Sequence, residues 1–490
     1  MAEKMLYLRY FSLARITYHD RLHISPSFFG RGQTRGLQHL TKEQKEIIHH
    51  AKYENVLVTA VPGSGKSTVG LEVMKNGPRR RTLMVTYSKQ LQSETFSTAK
   101  RLGLGNRPHI YTIHSLAGKI FGRLTRDDID LITGLDQADG TKFYKHAPLD
   151  LDQIIIDEVQ DLTPFYYSFL LLFIKMVTRK VGKPPRLLLL GDAKQSIFDY
   201  NGGDARFLTM GEMLFQDCSP YGWRHLEMTQ SHRFGTPLAE FVNSQLDDST
   251  PRIQGSSRSP QNKPLFLPVD VWNPQKLAKA LTSLIDEYGL ENVAILASST
   301  RPKTPAIRLA NELSRLGYPI AGAPSDGVKY TVKTKMNKLE IASIHSYKGR
   351  ERDLVIFFVD GTYYEYYGRG LPENVLPNDI YVAYTRPKKQ LVLLHHHRNP
   401  LLPIMPPSKI KATCEIVNPD RLGFSVPYRP RGISAGIRIP SESVRVTDVL
   451  KNIAPHDLFH VLGRIQIQRI HRKAGPISKP KDVMTKHDGR

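Results

Sequence analysis

The stretch Ala60-Val61-Pro62-Gly63-Ser64-Gly65-Lys66-Ser67-Thr68 constrains this chain more than any other. It lies between an apolar run and a helix-like stretch, the setting in which backbone N–H groups surround a phosphate chain. Gly63 and Gly65 let the backbone approach the phosphates without a Cβ. Lys66 is placed to reach the β and γ phosphates, and the Ser67 hydroxyl to bind Mg²⁺. The pattern predicts a nucleotide-binding loop, although Ala60 stands in place of its usual first glycine.

A second signal is the Asp157-Glu158 pair, which ends an apolar, strand-like run. A buried strand of this kind places both carboxylates at the carboxyl edge of a parallel sheet, beside the phosphate loop. We expect Asp157 to hold Mg²⁺ through water and Glu158 to polarise the attacking water. Such a pair alone is common at helix starts, but downstream of a phosphate loop it predicts a nucleotide hydrolase.

Composition bounds the class of protein. The 490 residues suggest two to three domains. The net charge of +23 favours polyanions as partners, although a solvated basic surface is an alternative. No run is long and apolar enough to span a membrane. Cys218 and Cys414 are too few for a disulfide framework or a zinc site, which fits a reducing intracellular compartment.

Strand-like and helix-like segments alternate in two series along the chain, and the phosphate loop occurs in the first. Such alternation implies doubly wound parallel sheets, whose sites lie beyond the carboxyl ends of the strands. We therefore predict an α/β protein in which residues 39–224 form an ATP-binding domain and residues 225–398 a second domain. The nucleotide is expected in the cleft between them.

The two ends of the chain differ from these domains in composition. Residues 1–38 form a basic arm that loosely resembles an organelle presequence and is equally typical of a flexible segment. Residues 399–490 begin with a Pro-containing linker and continue as a basic extension. Two apolar stripes in the extension predict short helices that pack on the second domain. Its basic tail either holds nucleic acid by counterion release or is simply solvated.

Together these motifs resemble the superfamily 1 helicases of the UvrD/Rep type, over residues 40–395. The matching segments are Gln44, the phosphate loop, Thr86-Tyr87-Ser88-Lys89, Thr112-Ile113-His114-Ser115, Asp157-Glu158-Val159-Gln160-Asp161, Gly191-Asp192-Ala193-Lys194-Gln195-Ser196-Ile197-Phe198, Ser231-His232-Arg233, Lys348-Gly349-Arg350-Glu351 and Tyr384-Thr385-Arg386. The resemblance implies two RecA-like domains, with ATP and Mg²⁺ as cofactors.

The resemblance also implies roles for individual residues in the ATP site. The nucleotide-binding set is Gln44, Ala60, Val61, Pro62, Gly63, Ser64, Gly65, Lys66, Ser67, Thr68 and Glu351, with Gln44 reading adenine and Glu351 contacting the ribose. The catalytic set is Lys66, Asp157, Glu158, Gln195, Arg233 and Arg386, and the metal ligands are Ser67 and Asp157. Gln195 would couple the γ phosphate to the nucleic acid. Arg233 and Arg386 would come from the second sheet as arginine fingers, which contribute roughly 10³–10⁵ in rate.

The implied nucleic-acid contacts are Tyr87, His114, Phe198, Tyr200 and His345. Aromatic faces stack on bases of any sequence, as movement along a strand requires. The alternative for Phe198 and Tyr87 is ordinary core packing. His114 and His345 are equally typical of residues that brace loops by hydrogen bonds.

Several positions depart from the family pattern. His232 replaces an aromatic that covers the adenine, which predicts a relaxed base preference. Asp199 and Asn201 replace basic or aromatic residues beside the nucleic acid, and Arg350 and Arg352 replace apolar ones. The chain has little room for the large subdomains that the family inserts into each sheet. Because those subdomains engage the duplex, the sequence predicts movement along a single strand more strongly than it predicts unwinding.

The sequence thus predicts an ATP-dependent DNA helicase or translocase on single-stranded DNA, with the 3′ to 5′ direction of the family. An RNA-directed motor is an alternative, since stacking does not by itself separate DNA from RNA. A nucleic-acid-binding scaffold without hydrolysis is another. The complete catalytic set argues against the scaffold, and DNA is favoured over RNA as the partner.

Overall fold

The computed structural model describes residues 40–76, 81–104, 108–137, 147–247, 250–322 and 337–418. Contacts along the chain divide it into two units, residues 1–428 and 429–490, and all described residues belong to the first. The predicted N-terminal arm, the two apolar stripes and the basic tail lie outside the described residues.

Short helices and strands alternate through the described residues. The helices are α1 (Lys42–His50), α2 (Lys66–Asn76), α3 (Lys89–Arg101), α4 (Ile113–Phe121), α5 (Asp128–Asp136), α6 (Pro164–Val181), α7 (Arg206–Thr209), α8 (Gly211–Phe215), α9 (Thr236–Asn243), α10 (Pro274–Tyr288), α11 (Pro305–Arg315), α12 (Ile344–Tyr347), α13 (Tyr363–Tyr366), α14 (Asn378–Tyr384) and α15 (Pro407–Thr413). The strands are β1 (Asn55–Ala60), β2 (Thr82–Thr86), β3 (Ile110–Thr112), β4 (Gln153–Asp157), β5 (Arg186–Gly191), β6 (Trp223–Met228), β7 (Leu265–Val269), β8 (Val293–Ala297), β9 (Ile320–Gly322), β10 (Leu339–Ser343), β11 (Arg352–Val359), β12 (Pro387–His396) and β13 (Glu415–Ile416).

The first sheet has the strand order β3-β2-β4-β5-β1-β6, and every neighbouring pair is parallel. We call this sheet with its helices the first lobe. Leu190 of β5 lies level with Val58 of β1 on one side and with Asp157 of β4 on the other. Since these three central strands end together, the loops that follow them meet at one edge of the sheet.

The second sheet has the order β13-β7-β12-β11-β8-β10-β9, and its neighbouring pairs are also parallel. We call it, with its helices, the second lobe. Its central strand β11 is covered on both faces, because Ile356 packs into one apolar cluster and Phe357 into another. The first sheet is covered in the same way, by α1 and α2 on one face and by α4 and α6 on the other.

The predicted fold class is therefore confirmed: the described chain contains two parallel-sheet α/β lobes. The predicted limit between the domains, after residue 224, falls inside β6, which pairs with β1 in the first sheet. Beyond residue 398, β13 adds an edge strand to the second sheet. The exact domain limits stay a prediction. None of the described helices is long and apolar enough to cross a membrane.

Candidate nucleotide site between the two lobes

The phosphate loop joins β1 to α2, as its sequence predicts. Gly63 and Gly65 have φ angles of +74° and +92°, which side chains other than glycine rarely adopt. A Cβ added to Gly63 would lie 2.6 Å from the Cβ of Arg233 and 2.9 Å from Ser231 Oγ. Gly63 is thus required by its backbone angle and by the segment packed against it. The loop ends where α2 begins, so the helix N-terminus points to the site.

The two carboxylates of the Asp-Glu pair lie where the sequence places them, at the end of β4. Ser67 Oγ donates a hydrogen bond of 3.0 Å to Asp157 Oδ2. Asp157 is buried, and burial together with the Glu158 carboxylate raises its pKa, against the effect of Lys66. Glu158 has a left-handed backbone with φ of 57°, a strained conformation that clusters at functional sites.

The pKa of Glu158 is shifted in the direction opposite to that of Asp157. Burial opposes its ionisation, but Lys66, Lys348 and Arg386 hold its pKa below the ordinary value. Gln160 Nε2 donates a hydrogen bond to its carboxylate. An ionised, oriented carboxylate of this kind can accept a hydrogen bond from water and polarise it.

The residues predicted to bind Mg²⁺ fit that ion. Ser67 and Asp157 present a hydroxyl and a carboxylate oxygen side by side, the ligand types that Mg²⁺ prefers. A divalent cation beside Asp157 would also favour its ionised form. Among the residues that the structure describes, no cluster of three or more His, Cys, Asp or Glu could hold a metal ion. Mg²⁺ bound to one or two protein ligands usually takes waters and substrate phosphates as the others.

A cavity of about 300 Å³ lies between the lobes. The first lobe contributes residues 63–68, Tyr87, Glu158, Asp161, Gln195 and Phe198 to its wall, among others. Arg233 lies in the connecting segment between the lobes, and the second lobe contributes Lys348, Gly349 and Arg386. Four cationic side chains therefore face one cavity beside the phosphate loop. A polyanionic phosphate chain suits this arrangement.

Arg386 reaches the cavity from the second lobe, as predicted. It follows α14, and its side chain is 1% exposed. Its Nη2 donates a hydrogen bond of 3.0 Å to Gln195 Oε1, and its Nε one of 2.9 Å to Val382 O. Burial and the neighbouring Arg233 lower its pKa to about 9.

Arg233 lies in the segment that connects β6 to α9 and not on a strand of the second sheet. Its side chain donates to the second lobe, from Nε to Glu351 Oε2 at 2.7 Å and from Nη1 to Thr385 O at 2.8 Å. Lys388 also pairs with Glu351, at 2.8 Å. Although burial opposes the charge, Arg233 and Lys388 hold the pKa of Glu351 at about 2. Glu351 is therefore an ion-pair partner of Arg233 in this structure, and its ribose contact stays a prediction.

Gln44 contacts the phosphate loop directly. Its Nε2 donates to Ser64 O at 2.9 Å, and its Oε1 accepts from Thr41 N at 3.0 Å. Thr41 in turn accepts from Gln44 N, which completes a capping box at the start of α1. The amide thus bonds within the protein at both ends, and its role in reading adenine stays a prediction. Ala60, Val61 and Pro62 lie before the glycines, and Ser64, Gly65 and Thr68 line the cavity.

Lys348 is a site residue for which the sequence pattern predicts no role. Its Nζ donates to both oxygens of Asp161, at 2.7 and 2.6 Å, and to Gln195 O. It also lies 4.9 Å from the centre of the Phe198 ring. Lys348 therefore ties the second lobe to two loops of the first. The signal for it was its place just beyond β10, since parallel sheets build sites at strand ends.

Four of the five predicted nucleic-acid contacts form a continuous row. The rings of Tyr87 and Phe198 stack at 5.4 Å, Phe198 and Tyr200 meet edge-on at 6.2 Å, and Tyr200 meets His345 at 5.4 Å. Tyr200 is 65% exposed, whereas Tyr87 and Phe198 line the cavity. We call Tyr87, Phe198, Tyr200 and His345 the aromatic row. It runs from the cavity to the surface and crosses from the first lobe to the second.

His114 lies outside this row. Its Nε2 is 2.9 Å from Asp128 Oδ1, and its ring meets Tyr166 edge-on at 5.6 Å. Tyr166 also donates to Asp128, at 2.8 Å. These contacts are those of a residue that braces the start of α5, the alternative that the sequence left open, and a nucleic-acid contact stays a prediction.

The unusual Arg350 and Arg352 are explained by a buried carboxylate. Both guanidinium groups pair with Glu340 of β10, Arg352 at 3.1 Å. Arg350 also lies over the ring of Tyr347, at 4.3 Å. A buried carboxylate requires paired cations, so the two arginines and Glu340 belong together.

Comparison with known proteins gives a partial match. Residues 44–201 match a family model described as an AAA domain. No curated protein matches the chain significantly. Among solved structures, the helicase nonstructural protein 10 of an arterivirus is similar, in complex with DNA and in a second crystal structure, each at 12% identity and a TM-score of 0.36. These matches cover 71% of this chain, but 63% and 61% of the arterivirus chains, so the chain spans about three fifths of their length. The AAA-domain match covers the loops that carry Lys66, Asp157, Glu158 and Gln195, which indicates a nucleotide-binding P-loop domain in the first lobe.

Proposed function

We propose that this protein is an ATP-driven motor of the UvrD/Rep type, a superfamily 1 helicase or translocase that moves 3′ to 5′ on single-stranded DNA. One observation carries the proposal: the phosphate loop of the first lobe and Arg386 and Lys348 of the second lobe line the same cavity. A nucleotide in this cavity would touch both lobes. Its binding and hydrolysis would therefore change the contact between them.

The residues around the cavity supply what phosphoryl transfer needs, which is positioning and charge stabilisation. Lys66 and the backbone of the phosphate loop would hold the phosphates, and Ser67 and Asp157 would hold Mg²⁺. The ion would neutralise charge on the phosphates. Glu158, whose carboxylate accepts a hydrogen bond from Gln160 and whose pKa is held below the ordinary value, would orient a water for attack. Arg386 and Arg233 bring positive charge to the wall of the cavity that holds the phosphate loop.

Gln195 is suited to connect the cavity with a nucleic acid. Its side-chain oxygen accepts a hydrogen bond from Arg386, and its backbone oxygen accepts one from Lys348. Gln195 is therefore bonded to two cations of the second lobe. Phe198 follows three residues later and belongs to the aromatic row. A shift of Gln195 on hydrolysis would therefore move the start of the row.

The aromatic row supports single-stranded nucleic acid as the track. Stacking on aromatic faces contributes typically ~1–3 kcal/mol per base and tolerates any sequence. Tyr200 and His345 belong to different lobes, so a strand on the row would be gripped by both. The net charge of +23 favours the same kind of partner.

The test is the ATPase rate of the purified chain with no polymer, with single-stranded DNA and with single-stranded RNA. Stimulation by DNA supports the proposal, and stimulation by RNA alone would assign an RNA-directed motor. No hydrolysis under any condition would leave a nucleic-acid-binding scaffold. Lys66→Ala should abolish turnover, whereas Lys52→Ala, at an exposed position of the same lobe, should not. Unchanged turnover in Lys66→Ala would refute the site.

A further inference from the structure

Residues 229–233 leave the first sheet after β6 and end at Arg233. Their backbone is attached to the phosphate loop at two points. Ser231 Oγ donates to Pro62 O at 2.8 Å, and His232 N donates to Gly63 O at 2.9 Å. Arg233 is thus anchored to the first lobe by its backbone neighbours, while its side chain bonds to the second lobe.

The start of this segment is held by Glu43, in the first turn of α1. Thr229 Oγ1 donates to Glu43 Oε1 at 2.5 Å, and Thr229 N donates to Glu43 Oε2 at 3.1 Å. Hydrogen bonds to an ionised carboxylate are roughly twice as strong as neutral ones. The next residue, Gln44, bonds to Ser64 O of the phosphate loop. One turn of α1 therefore fixes both the loop and the segment that leads to Arg233.

We propose that Glu43 is a positioning residue that sets the place of Arg233 relative to the phosphate loop. The inference rests on the proposed function, because it takes Arg233 to act on the phosphates. Glu43 is not among the residues that line the cavity, and it holds the segment through Thr229 and, more weakly at 3.5 Å, through Gln230 N. The side chain of Arg233 is drawn toward the second lobe by Glu351, so its backbone needs a fixed point on the first lobe. Ser231 and His232 attach the end of the segment to the phosphate loop, and the carboxylate of Glu43 fixes its start at Thr229.

This role has a kinetic signature that separates it from a merely structural one. Arg233 would act mainly in the transition state, so its displacement lowers kcat more than it raises KM for ATP. Displacement of such a group by about 1 Å costs up to roughly 10²-fold in rate. We therefore expect Glu43→Gln and Thr229→Val each to lower kcat about tenfold with KM changed less than about threefold.

Matched variants provide the controls. Thr229→Ser keeps the hydroxyl and should retain most of the wild-type kcat. Glu46→Gln makes the same change at an exposed position of α1 and should leave kcat unaltered. Because Glu43 and Thr229 act as one contact, the double variant should be no slower than Glu43→Gln alone. Hydrogen exchange of residues 229–233 should be faster in Glu43→Gln, and thermal unfolding should show that each variant remains folded.

The outcomes separate this inference from the proposed function. A wild-type chain without ATPase activity would overturn the proposed function. An active wild type in which Glu43→Gln keeps its kcat, or exchanges at residues 229–233 at the wild-type rate, would overturn the role of Glu43 alone. Additive losses in the double variant would also overturn it, since they would show two independent contacts.

Discussion

Arg386 and Gln195 lie on different lobes and share a hydrogen bond of 3.0 Å, from Nη2 to Oε1. Gln195 is held in turn by Asp192, whose Oδ2 accepts from Gln195 Nε2 at 2.8 Å. Tyr381, on α14 of the second lobe, approaches the same carboxylate oxygen at 3.4 Å. The loop after β5 is thus bonded to the second lobe at the point where the loop borders the cavity, so a movement of the second lobe would change these hydrogen bonds.

Replacement of Arg386 by Ala should lower kcat for ATP by about 10³-fold or more, the range found for arginine fingers. The variant removes a positive charge from the cavity and the partner of Gln195. Arg386 directly precedes β12, and Arg398 follows the other end of that strand at an exposed position. Arg398→Ala should therefore leave kcat near the wild-type value. Steady-state ATPase assays check both, with thermal unfolding to confirm the fold. A loss below tenfold in Arg386→Ala would contradict a role in charge stabilisation.

Gly63→Ala should also reduce turnover, because the added Cβ would displace the segment that carries Arg233. A second glycine with the same backbone angle, Gly103, separates this effect from backbone strain. Gly63 and Gly103 share a φ of +74°, but a Cβ at Gly103 would meet nothing within 4 Å. A Cβ at Gly63 would collide with Arg233 and Ser231. Both variants should therefore lose about 1–2 kcal/mol of stability from backbone strain, whereas Gly63→Ala alone should lose kcat. Urea unfolding and ATPase assays measure the two effects, and equal kcat in both variants would refute the close packing of loop and segment.

The fold and the core of the site follow from local sequence patterns. The apolar run that ends in Asp157 forms a central parallel strand, and parallel pairing brings that strand end to the loop that carries Ser67. A polar edge strand was harder to predict. Five of the six residues of β6 are exposed or half-buried, and among the described strands it lies at the edge of the sheet beside β1, so it lacks the apolar run that marked the central strands.

The remaining features of the site depend on contacts between distant segments. Nothing near Ser231 in the sequence indicates that its hydroxyl bonds to Pro62, and so the attachment of Arg233 to the phosphate loop was not predicted. The pairing of His114 with Asp128 likewise depends on how α5 packs. The ion pair of Lys348 with Asp161 joins the two lobes, so it depends on how the lobes pack and not on any local pattern.

The aromatic row predicts a specific loss of nucleic-acid affinity. Tyr200→Ala removes an exposed ring from the row and should weaken binding of single-stranded DNA by roughly 1–3 kcal/mol, or about fivefold to 150-fold. Tyr53 provides the control, because it is 66% exposed against 65% for Tyr200 and packs on His49 outside the row. Tyr53→Ala should bind as the wild type does in fluorescence anisotropy titrations at fixed salt. Equal affinities for both variants would exclude Tyr200 from the track.

The ion pair between Asp161 and Lys348 predicts a pH dependence of stability. Burial raises the pKa of Asp161 to about 7, although Lys348 acts in the opposite direction. A carboxyl group whose pKa is higher in the folded than in the unfolded chain stabilises the fold at low pH, and this contribution is lost as the pH rises through about 7. Asp161→Asn has no such group. The free energy of unfolding of the wild type, relative to Asp161→Asn, should therefore fall between pH 5 and pH 7 by at most about 1.4 kcal/mol per pH unit and level off above.

Asp150→Asn, at a carboxylate that is 75% exposed, should show no such trend relative to the wild type. Urea unfolding at each pH, without nucleotide or Mg²⁺, measures the differences, and a wild-type advantage that grows with pH would show that Lys348 outweighs burial at Asp161.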